Sequence, residues 1–221
     1  MKKHFLSLMT LCLAALSVSA GDSLRLKAIP HTLQWQTRPA TFTVQSDNAF
    51  TMTAGKGTDL YASIDGSFYV NNVPKLLFTP DRDFIFSARL RPEFKNVYDA
   101  GAILIYSDSS NWAKVIVEKL DNGSIFIGSS VVDNRITDDS YHQAIPTADV
   151  HLKLARSGKV YCFYYSTDGR TWKLLRTFSF KQPQQMRIGF YAQSPKGDRL
   201  SLQVSDVRYR GVAFKDFFTG E

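Results

Sequence analysis

Short strand-like segments with alternating apolar and polar residues recur along most of this chain, and they limit the folds that it can adopt. In Phe84–Arg91, for example, apolar side chains occupy every second position, as on one buried face of a strand. Turn sequences such as Asp121-Asn-Gly123 and Asp168-Gly169 separate about a dozen such segments. No helical period of useful length accompanies them. The sequence therefore predicts an all-β fold, a two-sheet antiparallel sandwich with jelly-roll connections.

The N-terminus has the features of a secretory signal peptide. Lys2 and Lys3 precede a mostly apolar run from Phe5 to Leu16, and Val18-Ser-Ala20 supplies the small residues that a signal peptidase needs. We expect residues 1–20 to be cleaved, so that the protein is exported to the periplasm or the cell exterior. A leader segment (residues 21–32) and a single jelly-roll domain (residues 33–221) are expected to follow.

Composition narrows the range of partners. The formal net charge of +7 is spread along the chain without a basic cluster, which argues against nucleic acid. No later run is long and apolar enough to span a membrane. Once residues 1–20 are removed, Cys162 is the only cysteine, so no intrachain disulfide is expected. Its strand-like surroundings predict a buried thiol.

One run, Trp112–Glu118, suggests a ligand-binding face. Every second residue from Ala113 is small and apolar, as a sandwich core requires. The opposite face carries Trp112, Lys114 and Glu118 in one line. Because an exposed aromatic ring can stack on a sugar and charged groups can bind hydroxyls, this face is a candidate ligand site. The alternative is an ion pair beside a partly covered Trp.

Several motifs together resemble one protein family. The sequence of this chain carries them in the order Gly57-Thr-Asp-Leu-Tyr61, Tyr98-Asp-Ala-Gly-Ala-Ile-Leu104, Trp112–Glu118, Tyr165-Ser-Thr-Asp-Gly-Arg-Thr-Trp172 and Gly189-Phe-Tyr-Ala-Gln-Ser-Pro195. They resemble a family often labelled "regulation of enolase", in the concanavalin A-like lectin/glucanase superfamily. One departure is Asp99, where the family commonly has Gln.

The resemblance implies a jelly roll with a concave sheet, on which relatives in the superfamily bind or cleave saccharides. It implies no particular activity, since a shared fold is a weak guide to function. We expect a saccharide or polyol ligand, with Trp112 as the stacking platform. The candidate ligand-binding residues are Tyr98, Asp99, Arg89, Trp112, Lys114, Glu118, Tyr191, Gln193 and Ser194.

Two enzymatic alternatives use the same groove. A glycoside hydrolase would pair Glu118 with Asp99 as two facing carboxylates. A polysaccharide lyase would use Tyr191 as the base, with Arg or Gln neutralising a uronate. The structural interpretation of Asp99 is a turn cap. A third possibility, a structural subunit of a cell-surface assembly with a protein partner, predicts an apolar patch instead of a polar groove.

No metal or other cofactor is predicted. The three histidines beyond the signal peptide show no metal-ligand spacing. The acidic stretch Asp133–Asp139 is expected to form a polar loop that includes Asn134, Thr137 and Asp138. Its oxygen ligands could hold a structural calcium ion, but the stretch has no EF-hand spacing, and a solvated loop is the alternative.

Overall fold

The computed structural model describes residues 23–181 and 185–221, and these form strands joined by turns and loops. The predicted signal peptide lies outside the described residues. Strands are numbered in chain order. Two antiparallel sheets form a jelly-roll sandwich, as the alternating sequence pattern predicts.

The first sheet, here called the front sheet, has eight strands. In spatial order they are β1 (Ser23–Leu24), β2 (Leu33–Thr37), β7 (Lys75–Phe78), β16 (Arg187–Gln193), β9 (Ala100–Asp108), β10 (Asn111–Lys119), β11 (Ile125–Asp133) and β12 (Ile136–Ile145). The strand that is apolar on both faces, β9, lies inside this sheet, as its sequence predicts.

The second sheet, the back sheet, has seven strands. Their spatial order is β15 (Lys173–Phe178), β14 (Val160–Ser166), β13 (Val150–Ser157), β8 (Phe84–Pro92), β17 (Arg199–Arg210), β4 (Ala49–Gly55) and β3 (Thr41–Ser46). A separate hairpin consists of β5 (Leu60–Ala62) and β6 (Tyr69–Asn71). The described part of the chain contains no helix that is long and apolar enough to cross a membrane.

The main core lies between the two sheets. Every second side chain of β8, from Phe84 to Leu90, is buried there, and so are Ala113, Val115 and Val117 of β10. Full burial of one of the larger apolar side chains, such as Phe or Leu, contributes about 1.5–3 kcal/mol to the stability of the folded state. The predicted inward faces of both strands are therefore correct.

The packed fold begins before the predicted boundary at residue 33. Strand β1 pairs with β2, and Leu26 and Ile29 are buried in the main core. The described part of the predicted leader is thus integral to the sandwich. Leu24, Leu26 and Ala28 alternate there with Arg25 and Lys27, so this short segment carries the same strand-like pattern as the rest of the sandwich.

A second apolar layer covers the outer face of the front sheet. Leu60 and Ala62 of the β5–β6 hairpin, together with Val73, pack on side chains of β9, β10 and β16. Thr137 of β12 donates a hydrogen bond of 2.8 Å to the Ala62 carbonyl, and Asn71 donates one of 3.0 Å to the Tyr106 hydroxyl. The hairpin therefore covers one end of this face, and the pocket described below opens beside it.

The outer face of the back sheet is covered by the last residues of the chain. Lys153 donates a hydrogen bond of 2.9 Å to the Thr219 carbonyl, and the Tyr164 hydroxyl donates one of 2.9 Å to the Phe217 carbonyl. Cys162 is a buried free thiol in the small apolar cluster beneath this segment, as predicted, and burial raises its pKa.

Candidate functional site

A pocket of about 480 Å³ opens on the outer face of the front sheet, beside the β5–β6 hairpin. Its lining combines charged, polar and aromatic side chains. The residues that line it are Gly57, Asp59, Tyr61, Phe68, Val70, Tyr98, Lys114, Ile116, Glu118, Gly128, Ser129, Ser130, Asp139, Ser140, Tyr141, Gln193, Pro195 and Lys196.

Strand register explains why charged side chains meet at the pocket floor. Glu118 of β10 and Gln193 of β16 both lie opposite Ala100 of β9, which runs between them. Two residues further along β9, Ala102 lies between Ile116 of β10 and Tyr191 of β16. Directly opposed residues project from the same face of a sheet, so Glu118 and Gln193 stand on one face on either side of the small Ala100. The register of β9 with its two neighbours therefore brings Glu118 and Gln193 together at one end of the pocket.

The Lys114 side chain, on β10, is nearly buried and held in one position. Its ammonium donates a hydrogen bond of 2.8 Å to the Leu60 carbonyl. The same nitrogen lies 5.5 Å from the centre of the Trp112 ring and 6.0 Å from that of Tyr191, within cation–π range. Two aromatic rings and one carbonyl therefore fix the ammonium at the pocket floor.

The expectation that Trp112 stacks on a ligand is wrong. Its side chain is 0% exposed and belongs to the apolar layer under the β5–β6 hairpin. Alternation along β10 correctly predicts that Trp112 and Lys114 share a face. It does not predict the hairpin that covers the Trp end of that face. Trp112 supports Lys114 and does not meet the pocket.

Glu118 and Gln193 form the polar end of the pocket. The Gln193 amide nitrogen donates to the Tyr98 carbonyl at 3.2 Å and lies 3.5 Å from a Glu118 carboxylate oxygen. Burial raises the pKa of Glu118 to about 7, and Asp59 and Asp139 add to the rise against the lowering effect of Lys114. Glu118 therefore exchanges a proton near neutral pH.

Tyr98, which precedes β9, lines the pocket wall as the sequence suggests. Its backbone has a φ of 64°, in the left-handed region that few non-glycine residues occupy. Its carbonyl accepts the bond from Gln193, and its N–H donates a 2.7 Å bond to the Lys119 carbonyl. These bonds join the turn to the ends of both neighbouring strands.

Asp99 and Ser194 stabilise the walls and do not line the pocket. Asp99 is buried, and its carboxylate accepts hydrogen bonds from the backbone N–H groups of Lys95 and Asn96 (2.9 and 2.8 Å) and from the Ser194 hydroxyl (2.7 Å). The turn-cap interpretation of Asp99 is therefore correct, and the alternative in which Asp99 pairs with Glu118 as a catalytic carboxylate fails because Asp99 does not reach the pocket. Both oxygens of its carboxylate therefore accept hydrogen bonds from the protein.

Arg89 lies on the other sheet. It is part of β8, and its guanidinium forms a bidentate ion pair with Asp149 on the outer side of the back sheet. Arg89 is therefore not a groove residue. Alternation correctly places it on the outer face of β8, but the pattern does not say that the groove belongs to the other sheet.

Tyr191 is excluded as a catalytic base. Its side chain is completely buried and is absent from the pocket lining. Burial raises its pKa well above 10, and the nearby carboxylates Glu118, Asp59 and Asp139 raise it further. A phenol in this position keeps its proton, so its role is to pack beside Lys114.

Two pocket carboxylates were not predicted as ligand-binding residues. Asp59 lies in the loop before β5, where its N–H donates a 2.7 Å hydrogen bond to the Asn72 side chain. Burial raises its pKa, against the lowering effect of Lys114. The signal for Asp59 was its place in the motif Gly57-Thr-Asp-Leu-Tyr61. That loop is tied to the end of β16, where the Ser194 N–H donates to the Thr58 carbonyl (3.1 Å) and the Gly57 N–H donates to the Ser194 carbonyl (3.0 Å).

Asp139 belongs to a strand, not to the expected polar loop. Residues from Ile136 onward form β12, the edge strand of the front sheet, with Asp139 opposite Ser130 and Ser130 opposite Lys114. Asp138 points elsewhere and pairs with Arg176 of the back sheet. Across the described residues, no group of three or more acidic, His or Cys side chains is arranged to hold a metal ion.

Aromatic side chains stand at the pocket mouth on two separate elements. Phe68, 56% exposed, lies beside Tyr61 on the hairpin, with ring centres 6.2 Å apart. Tyr141, 62% exposed, lies on β12 with its ring edge-to-face against Phe126. These exposed rings offer the stacking surface that was predicted for Trp112.

The chain belongs to a family described as protein of unknown function (DUF1349), whose model matches residues 35–212. A comparison with curated proteins found no match.

Solved structures with a similar fold include a functionally unknown protein from Saccharomyces cerevisiae. It is 20% identical, with a TM-score of 0.73 over 80% of this chain and 95% of that one. The GH43 protein BlXynB from Bacillus licheniformis is 12% identical (TM-score 0.61, 80% of this chain, 37% of that one). An alginate lyase from Klebsiella pneumoniae is 10% identical (TM-score 0.56, 80% and 86%). At these identities the likeness extends to the β-sandwich fold.

Proposed function

We propose that this protein is an exported, lectin-like jelly roll that binds a saccharide in the front-sheet pocket. The observation that carries the proposal is the combination of a charged floor with exposed aromatic rings at the mouth. Lys114 and Glu118 can bind hydroxyl groups from below, while Tyr141 and Phe68 can contact the apolar faces of a sugar ring. The polar lining favours a ligand site over the apolar patch expected of a structural subunit.

The fold similarity is compatible with this proposal but does not identify the ligand. GH43 proteins and alginate lyases act on glycans by name, and they share the sandwich with this chain. The chain spans about 37% of the length of BlXynB, so that protein's activity is not transferred. Membership of the group labelled "regulation of enolase" remains a prediction, and the proposed role of the pocket does not depend on it.

The first experiment is a glycan-array screen of the protein without residues 1–20, with and without calcium. Phe68→Ala should weaken a hit at least tenfold, because it removes one stacking surface at the pocket mouth. Phe218→Ala is the matched control, since Phe218 is 70% exposed near the chain end, away from the pocket. Equal loss in both variants, or no hit on the array, would contradict the proposal.

A glycoside hydrolase is the second candidate function, and the Glu118 carboxyl favours it. A pKa raised to about 7 suits a general acid, and Asp59 and Asp139 are the other carboxylates of the pocket. The test is to incubate any bound glycan with the protein and analyse the products. Cleavage that is lost in Glu118→Gln, while binding is retained, would establish hydrolysis. If the glycan stayed intact after prolonged incubation, the protein would be shown to bind it without hydrolysing it.

A further inference from the structure

The pocket gathers negative charge in a protein whose formal net charge is +7. Asp59, Glu118 and Asp139 come from three different elements and line one cavity. Among the described residues that line the pocket none is an arginine, and the positive side chains there are Lys114 and Lys196. The net charge of the pocket therefore depends on how far these two lysines neutralise the three acidic side chains.

The two lysines neutralise them incompletely. The Lys114 ammonium already donates to the Leu60 carbonyl and lies against two aromatic rings. Lys196 lies on the exposed rim, where water screens its charge. An anionic ligand would therefore meet one engaged cation at the floor and the carboxylates of Asp59 and Asp139, joined by Glu118 as the pH rises through 7.

The effect of the carboxylates on neighbouring groups shows that they act together. Burial comes first in raising the pKa values of Tyr61 and Tyr141, and Asp139 raises both further. Asp59 and Asp139 likewise add to the raised pKa of Glu118. Each carboxylate disfavours more negative charge nearby, so a bound cation would relieve this repulsion and a bound anion would increase it.

Gln193 provides a second, independent indication of what the ligand must offer. Its side chain is 2% exposed and lines the pocket, and its carbonyl oxygen has no hydrogen-bond partner among the described residues. An acceptor buried without a donor is costly. A ligand N–H or O–H at this end of the pocket, beside Glu118, would satisfy it.

We infer that the pocket selects saccharides bearing a protonated amine over saccharides bearing carboxylates. The inference rests on the proposed saccharide-binding function and narrows its ligand class. The ammonium would lie among Asp59, Glu118 and Asp139, with Gln193 accepting one of the ligand's hydrogen bonds. Uronate-containing glycans would be rejected by the same carboxylates.

Calorimetric titration with three matched oligosaccharides tests this selection. The probes are a glucosamine oligosaccharide, its fully N-acetylated and hence neutral counterpart, and an oligogalacturonate of equal length, at low salt and pH 7, where Glu118, with a pKa of about 7, is partly ionised. We expect the amine to bind about tenfold tighter than the neutral form, as a charge-assisted hydrogen bond would provide. The uronate should bind weakest, and added salt should reduce the difference between amine and neutral form.

Variants connect the preference to the pocket. Asp59→Asn and Asp139→Asn should each reduce the preference for the amine over the neutral form several-fold. Asp121→Asn, in the exposed turn after β10, is the matched control and should leave the preference unchanged. Uronate or neutral binding as tight as that of the amine would overturn the inference while leaving saccharide binding intact. If none of the three probes bound and the array were negative, the proposed function itself would fail.

Discussion

Replacing Glu118 with Gln should stabilise the protein above pH 7 and change its stability little at pH 4. Burial raises the pKa of the Glu118 carboxyl from 4.5 to about 7 in the folded state. A tenfold change in proton affinity is worth about 1.4 kcal/mol, so ionising this carboxyl costs the folded protein about 3 kcal/mol. Gln keeps the shape of the side chain and cannot ionise.

The direction of this change in stability follows from the pKa values of Glu118 in the unfolded and folded states, 4.5 and about 7. Because the folded-state pKa is the higher one, the relative stability of the wild type is fully present below pH 4.5 and is lost as the pH rises through 7. The advantage of Glu118→Gln should therefore grow across this window and level off above it. For a domain of this size the maximum corresponds to roughly 6–12 °C in Tm.

Urea and thermal unfolding of both proteins at pH 4, 5.5, 7 and 8.5 would measure this advantage. Glu93→Gln, at an exposed position after β8, controls for the chemical change itself. If the difference between Glu118→Gln and the wild type stayed constant from pH 4 to 8.5, or if the variant lost stability above pH 7, the argument from a buried, proton-exchanging carboxyl would be refuted.

Three further substitutions test the packing around the pocket, each by urea unfolding. Trp112→Ala should cost about 3–5 kcal/mol, because it leaves a cavity beneath the hairpin; a mutant of normal stability would show that the ring is not buried. Asp99→Ala should cost about 3 kcal/mol, because three donors, including the Ser194 hydroxyl, lose their acceptor, whereas Asp99→Asn should cost less than half as much. Gly189→Ala should cost at least about 2 kcal/mol, since a Cβ there would overlap the Leu76 carbonyl; unchanged stability would contradict this close approach of β7 and β16.

Strong alternation made most of the sandwich predictable from sequence. Segments such as Phe84–Arg91 and Trp112–Glu118 carry an apolar residue at every second position, and both bury that face in the main core. Strand β12 was missed because it lies at the sheet edge, where burial demands few apolar residues. Its exposed acidic residues therefore resembled a loop.

The site was only partly predictable, because its residues meet through the register of distant strands. Lys114 and Glu118 share one strand, so their common face was visible from spacing alone. Gln193 and Glu118 meet only because both strands flank β9 at Ala100. Asp59 belongs to a loop, and the sequence pattern of a loop does not show where it lies in the fold. Backbone hydrogen bonds from this loop to the end of β16 place Asp59 in the pocket.

The error at Trp112 has a physical cause. Period-two alternation assigns side chains to the two faces of a strand but contains no information on what covers each face. In this protein the outer face of β10 has two parts with different surroundings. The β5–β6 hairpin covers the end at Trp112, where Asn71 reaches Tyr106, and does not cover the end at Glu118, which lines the pocket. One line of side chains therefore changes from apolar packing at Trp112 to pocket lining at Glu118. Lys114 contacts both parts: its ammonium is held by the Leu60 carbonyl and the Trp112 ring, and its side chain lines the pocket. The packing of the hairpin therefore fixes the position of a charged group in the pocket.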